Sequence, residues 1–107
     1  MPAPDLEVHP EALEEAQAGL VWYLERSPST ARRFLAAIDQ AMARVAEAPD
    51  RWPPFVAGAR RFVMLKFPYS VVYKQTPRGV VIYAFAHAKR RPGYWKRRLS
   101  WSGPDEG

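Results

Sequence analysis

The residues of this chain that can carry a proton or hold an anion at neutral pH crowd into one stretch. "AFAHAKRRPGYWKRRL", residues 84–99, runs from apolar, strand-like sequence into His87, Lys89, Arg90, Arg91, Tyr94, Trp95 and a second cationic triplet, Lys96-Arg97-Arg98. Upstream, Arg60, Arg61 and Lys66 bracket another short apolar run. Such a set suits metal-free cleavage of RNA. That reaction needs a base for the 2′-hydroxyl, an acid for the leaving 5′-oxygen and cations for the charge that gathers on the phosphate. Histidine is the side chain whose ordinary range spans neutrality, so His87 is the first candidate proton carrier. Tyr94, Lys66 and Lys89 are the others, and Arg60, Arg61, Arg90 and Arg91 could stabilise a phosphorane-like state. No carboxylate lies between Arg51 and Pro104, which rules out paired-acid chemistry within this half.

The same residues have plainer uses. A lone histidine at a strand end is commonly structural, two arginines at a strand entrance make a solvated edge, and Tyr94 and Trp95 can pack a last helical turn into the core. They also suit binding without chemistry. Six cations around a Tyr-Trp pair fit an acidic protein groove as well as nucleic acid. No zinc spacing, P-loop, dinucleotide fingerprint, nucleophile elbow or DNA-reading helix is visible, and His9 and His87 stand far apart. Neither a metal nor a cofactor is expected.

Charge sharpens the picture. Residues 1–50 hold nine acids and four bases, whereas residues 51–104 hold twelve Lys and Arg and no acid, within a net charge of +5. A surface designed only for solubility mixes its signs, so the split points to an acidic or nucleic-acid partner for the second half. The chain has 107 residues, enough for one domain with a single core. It has no cysteine, which fits a reducing cytosol. "MPAPD" has neither the cationic flank nor the apolar segment of a signal peptide, and no apolar run reaches the length of a membrane span. A cytoplasmic protein without a membrane partner is expected.

These side chains need a scaffold, and the hydrophobic pattern supplies one. Leu6 to His9 is a candidate strand. Pro10 suits a first helical turn, and Leu13, Ala16, Leu20, Tyr23 and Leu24 follow at helical spacing, predicting a helix over 10–26. Ser27-Pro28 reads as an N-cap with proline at the first helical position, opening a second helix that repeats Leu35, Ile38, Met42 and Val45 to about Glu47. Residues 48–59 carry three prolines and a glycine and read as an irregular loop pinned by Trp52 and Phe55. Strands are expected at 61–66, 69–75 and 80–87, the last two joined by a turn at "TPRG". Val80 to Ala86 is apolar throughout, as a central strand covered on both faces would be. Residues 92–99 are expected to form a last helical turn, and residues 100–107 a frayed tail beyond a single domain of residues 1–99.

The order is therefore β-α-α-β-β-β, an α+β fold with a helical hairpin on one face of a small, mostly antiparallel sheet. No third long helix remains for the other face. That face should hold a groove, filled by the last segment or by a partner.

From Leu6 to Leu99 the chain resembles the RelE/ParE superfamily of toxins from bacterial type II toxin–antitoxin pairs, often labelled plasmid-stabilisation proteins. The resemblance rests on "HPEALEEA", on Trp22-Tyr23 late in the first helix, on "FPYSVVY" (67–73) and on "VVIYAFAHAKRRPGYW" (80–95). It implies the same fold and a cognate antitoxin whose acidic or amphipathic segment wraps the toxin. RelE-like members resemble ribonucleases that cut messenger RNA on the ribosome, with catalytic Lys, Arg and Tyr; the corresponding basic, tyrosine-bearing segment falls on Lys89, Arg91 and Tyr94 or Trp95. ParE-like members bind DNA gyrase and stall it without chemistry. Ser70 stands where RelE-like chains carry an arginine, and the strand ending "AHAKRR" looks like the ParE side. The resemblance thus implies a growth-arresting gyrase inhibitor. A ribosome-dependent nuclease using His87, Tyr94, Lys66, Lys89 and Arg91 is the alternative, and a non-toxic RNA-binding module a third reading. Arg60, Arg61, His87, Lys89, Arg90, Arg91, Tyr94 and Trp95 are the expected contacts to target or antitoxin.

Overall fold

The computed structural model describes residues 6–104. Strand β1 (Leu6–Val8) leads into helices α1 (Pro10–Leu24) and α2 (Pro28–Glu47), followed by β2 (Arg60–Val63), β3 (Tyr69–Thr76) and β4 (Gly79–His87). The sheet runs β1-β4-β3-β2, with β1 parallel to β4 and the other pairs antiparallel. The α+β arrangement expected from the sequence is present. Neither helix is long and apolar enough to cross a membrane.

Local chemistry accounts for the element ends. Ser27 caps α2 by accepting from the Thr30 N–H at 3.3 Å, with Pro28 at the first helical position where its missing N–H costs nothing. His9 is not strand but cap: its Nδ1 accepts from the Glu11 N–H at 3.0 Å, so β1 stops one residue earlier than expected. Ala31, Phe34, Ile38, Ala41 and Val45 form the buried stripe of α2, at the spacing of a helix lying on a sheet. Gly19 marks the tightest approach of α1, since a Cβ there would stand 2.8 Å from the Tyr69 hydroxyl and 2.9 Å from the Phe34 ring.

Two cores result. Beneath the helices, Phe34, Ile38 and Val45 pack on Val71, Tyr73, Val80, Ile82 and Phe85, joined by Tyr23, Phe67 and Tyr69. On the far face a smaller core joins Val72 and Ala84 to Ala59 and Trp95, flanked by Phe55, Val56, Tyr94 and Leu99. Trp95 is only 1% exposed. Of the two occupants expected for the far face, the last segment is the one that covers its centre, with residues 94–99 above and the 55–59 loop beside them. That loop is irregular, as its prolines suggest: Ala57 and Gly58 take left-handed backbone at φ 58° and 76°. The last helical turn is 3₁₀, over Lys96–Ser100. Trp101, expected to fray, lies 5.0 Å from the His9 ring, and Gly103 is buried. Residues 105–107 of the expected tail lie outside the described residues.

β4 carries one irregularity. Val72 pairs with Ala84 but Tyr73 pairs with Ile82, leaving Tyr83 as an extra residue. Such a bulge takes a residue out of the ladder, and the Tyr83 carbonyl accepts instead from Arg98 at 2.9 Å.

Candidate functional site

Glu15 gathers the segment after β4. Because β1 ends opposite Ile82, the edge of β4 beyond that point has no neighbouring strand, and α1 supplies a carboxylate in its place. Glu15 Oε1 accepts from the Phe85 N–H at 3.1 Å and from Arg98 Nη1 at 3.0 Å. Its Oε2 accepts from the Tyr94 hydroxyl at 2.6 Å and from Arg98 Nη2 at 3.0 Å. Arg98 is 5% exposed, and its Nε has no partner among the described residues. One turn earlier on α1, Glu11 takes a two-pronged contact from Arg97 at 2.6 and 2.7 Å, which draws its carboxyl down to about 2. Burial, then the bond to Glu15, pushes the Tyr94 phenol far above its ordinary range.

The cations expected at the site thus divide. Arg97 and Arg98 are held by α1 carboxylates. Arg90 lies over the Tyr94 ring at 3.8 Å and Arg61 over the Phe55 ring at 4.1 Å, each with its guanidinium reaching solvent. Lys89, Arg91 and Lys96 are exposed. Arg60 turns back to donate to the Trp52 carbonyl at 2.6 Å. His87 is half-buried against Tyr69, ring centroids 5.1 Å apart, and its Nδ1 accepts from the Lys89 N–H at 3.1 Å. Lys66 is exposed and lines a groove between α2 and β2. Trp95, a candidate contact residue, is withdrawn into the far-face core, because the indole is the large apolar group that fills the space over Val72 and Ala84.

That groove lies elsewhere than expected, between α2 and the outer edge of β2. It encloses 1120 Å³. Its floor is apolar and small-residue, with Ala37, Ala41, Phe62 and Met64, and its rim carries Arg33, Arg44 and Lys66. The β2 edge is half closed. The Arg61 N–H donates to the Pro53 carbonyl at 3.1 Å, while the Met64 N–H turns inward to Tyr69 at 3.0 Å. By alternation the backbone of Val63 faces outward beside Leu65, whose side chain is 97% exposed. Arg33, Arg44 and Glu15 were not singled out from the sequence. The signals were there: Ala36, Ala37 and Ala41 leave a shallow helix face between Arg33 and Arg44, and Glu11 and Glu15 stand one turn apart on α1.

The site therefore combines an apolar, cation-rimmed groove with a basic far face, and it holds its tyrosine hydroxyl in a carboxylate. That is the layout of a surface for binding macromolecules. No curated protein matches the chain. A family model does, that of the ParE toxin of the type II toxin–antitoxin system parDE, over residues 6–92. The match takes in every strand, both helices and the groove, and the chain belongs to this family of type II toxins.

Proposed function

We propose that this toxin arrests growth in the cytoplasm by inhibiting DNA gyrase without chemistry of its own, and that its antitoxin neutralises it through the α2–β2 groove. The state of Tyr94 carries the first part. A hydroxyl donated to Glu15 at 2.6 Å, and pushed far above its ordinary range, stays protonated and engaged, which makes it a poor general base at neutral pH. Ser70, paired with Ala86, offers no cation to a phosphate beside it. The groove supports the second part, because an amphipathic acidic segment can lay apolar side chains on Ala37, Ala41 and Phe62 and carboxylates against Arg33, Arg44 and Lys66.

Controlled expression with two separate readouts tests the reading. Supercoiling by gyrase should fall while translated messenger RNA stays intact. Codon-phased cuts in messenger RNA with supercoiling untouched would instead establish the nuclease alternative, and a folded protein harmless on expression would remove both. Tyr94→Phe, which keeps the ring under Arg90, should leave growth arrest unchanged; a nuclease relying on that hydroxyl would lose activity by roughly 10²-fold or more. For the groove, Ala36→Glu should weaken antitoxin binding at least about tenfold by titration calorimetry, since it places an unpaired carboxylate on the exposed groove wall against an acidic partner.

A further inference from the structure

The far face has a character that neither the groove nor the family explains. Arg61 pairs with Val72 across the sheet, so it shares the side that Val72 buries under Trp95, and Lys74 follows two residues on along the same strand. A continuous path runs from Arg61 over Phe55, to Trp95 at 6.1 Å from Phe55, to Tyr94, and on to Arg90 over the Tyr94 ring. Lys89 and Arg91 flank Arg90 in the turn, and Lys96 projects from the segment above the core. None of these cations makes an ion pair among the described residues. Glu11, Glu14 and Glu15 on α1 border the face beside Arg90, and Glu11 and Glu15 are already matched by Arg97 and Arg98.

We propose that this face binds the phosphate backbone of duplex DNA directly. Unpaired cations spread over one side of a small domain are what a polyanion neutralises, and the release of its counterions supplies the free energy. The aromatic groups decide between double and single strands. Binding of unpaired strands depends on open rings for bases to stack on. Here Phe55 and Tyr94 each have a ring face covered by an arginine, and Trp95 is buried. What remains is charge without a stacking platform. Among the described residues no helix or strand protrudes from the face to enter a groove and read base edges, so contact is to phosphates and is independent of sequence. The inference stands whichever cellular target the toxin has.

Fluorescence anisotropy of the full chain with a labelled mixed-sequence duplex tests it. The five exposed cations of the face, Lys74 being half-buried, would neutralise five phosphates and give a log–log salt slope of about −4.5, or a roughly 500-fold loss of affinity between about 50 and 200 mM salt. Lys89→Ser, Arg90→Ser and Lys96→Ser should each shallow that slope by about one unit. Arg32→Ser, an exposed cation on the helical side, should leave it unchanged. Melting curves will verify that each variant is folded. Absence of binding at low salt overturns the proposal, as does an equal effect of Arg32→Ser. Preference for oligothymidylate over the duplex would show base stacking instead, and tighter binding of duplex RNA would reject DNA as the ligand.

Discussion

At the scale of single residues, Glu15 and His9 show how one end of α1 governs the segment after β4. Glu15 accepts four hydrogen bonds from three different parts of the chain. Glu15→Ala would strand a guanidinium that is 5% exposed, and breaking such a buried pair from one side costs about 3–5 kcal/mol. Urea denaturation should show that loss as a lower midpoint. His9 adds a pH dependence. Its Nδ1 must be unprotonated to cap α1, and burial followed by the nearby Arg98 lowers its pKa from the ordinary 6.5, with Arg97 adding to this and Glu11 and Glu15 opposing it. Tyr83 and Trp101 wall the ring on its remaining sides. The unfolded chain therefore binds the proton more readily than the folded one, so stability rises with pH in this window. The contribution is complete above 6.5 and is lost as pH falls through the folded-state pKa. His9→Asn keeps a good cap and should abolish that step in a series of melting temperatures against pH.

Among the elements, packing distance sets the tolerances. Gly19→Ala on α1 would press a methyl group against the Tyr69 hydroxyl and the Phe34 ring, so it should destabilise by about 1–3 kcal/mol despite the better helix propensity of alanine. Trp95→Ala would open the far-face core and should cost about 3–5 kcal/mol by the same measurement. The helices and strands were legible because their signals are local. Ser27-Pro28 marks a helix start by its own chemistry, and Val80 to Phe85 announces burial on two faces by composition. The boundary at His9 was not legible. An imidazole looks the same in a strand as in a cap until the helix is in place to offer its N–H. Nor could the pattern show that residues 94–101 fold back over the sheet, since the contacts that hold them lie 79 and 83 positions away on α1.

Over the whole molecule, the segregation of charge along the chain becomes a segregation in space, but with a correction. Three of the twelve cations in residues 51–104 return to neutralise Glu7, Glu11 and Glu15, so the helical and basic halves are stitched together rather than merely opposed. Composition predicts the sign of the partner. It could not locate the groove, which exists because α2 and the edge of β2 diverge, a matter of tertiary geometry. The family match ends at residue 92, just before the segment that closes the far face. The seating of that segment can be watched directly. Trp95 is the one deeply buried indole among four, and the ring of Trp22 lies under Arg26 at 3.7 Å near the solvent. Replacing Trp22, Trp52 and Trp101 by phenylalanine leaves a single emitter at the centre of the clasp. Its blue-shifted fluorescence would redden the moment the clasp lifts, giving an optical gauge of opening that needs no added dye.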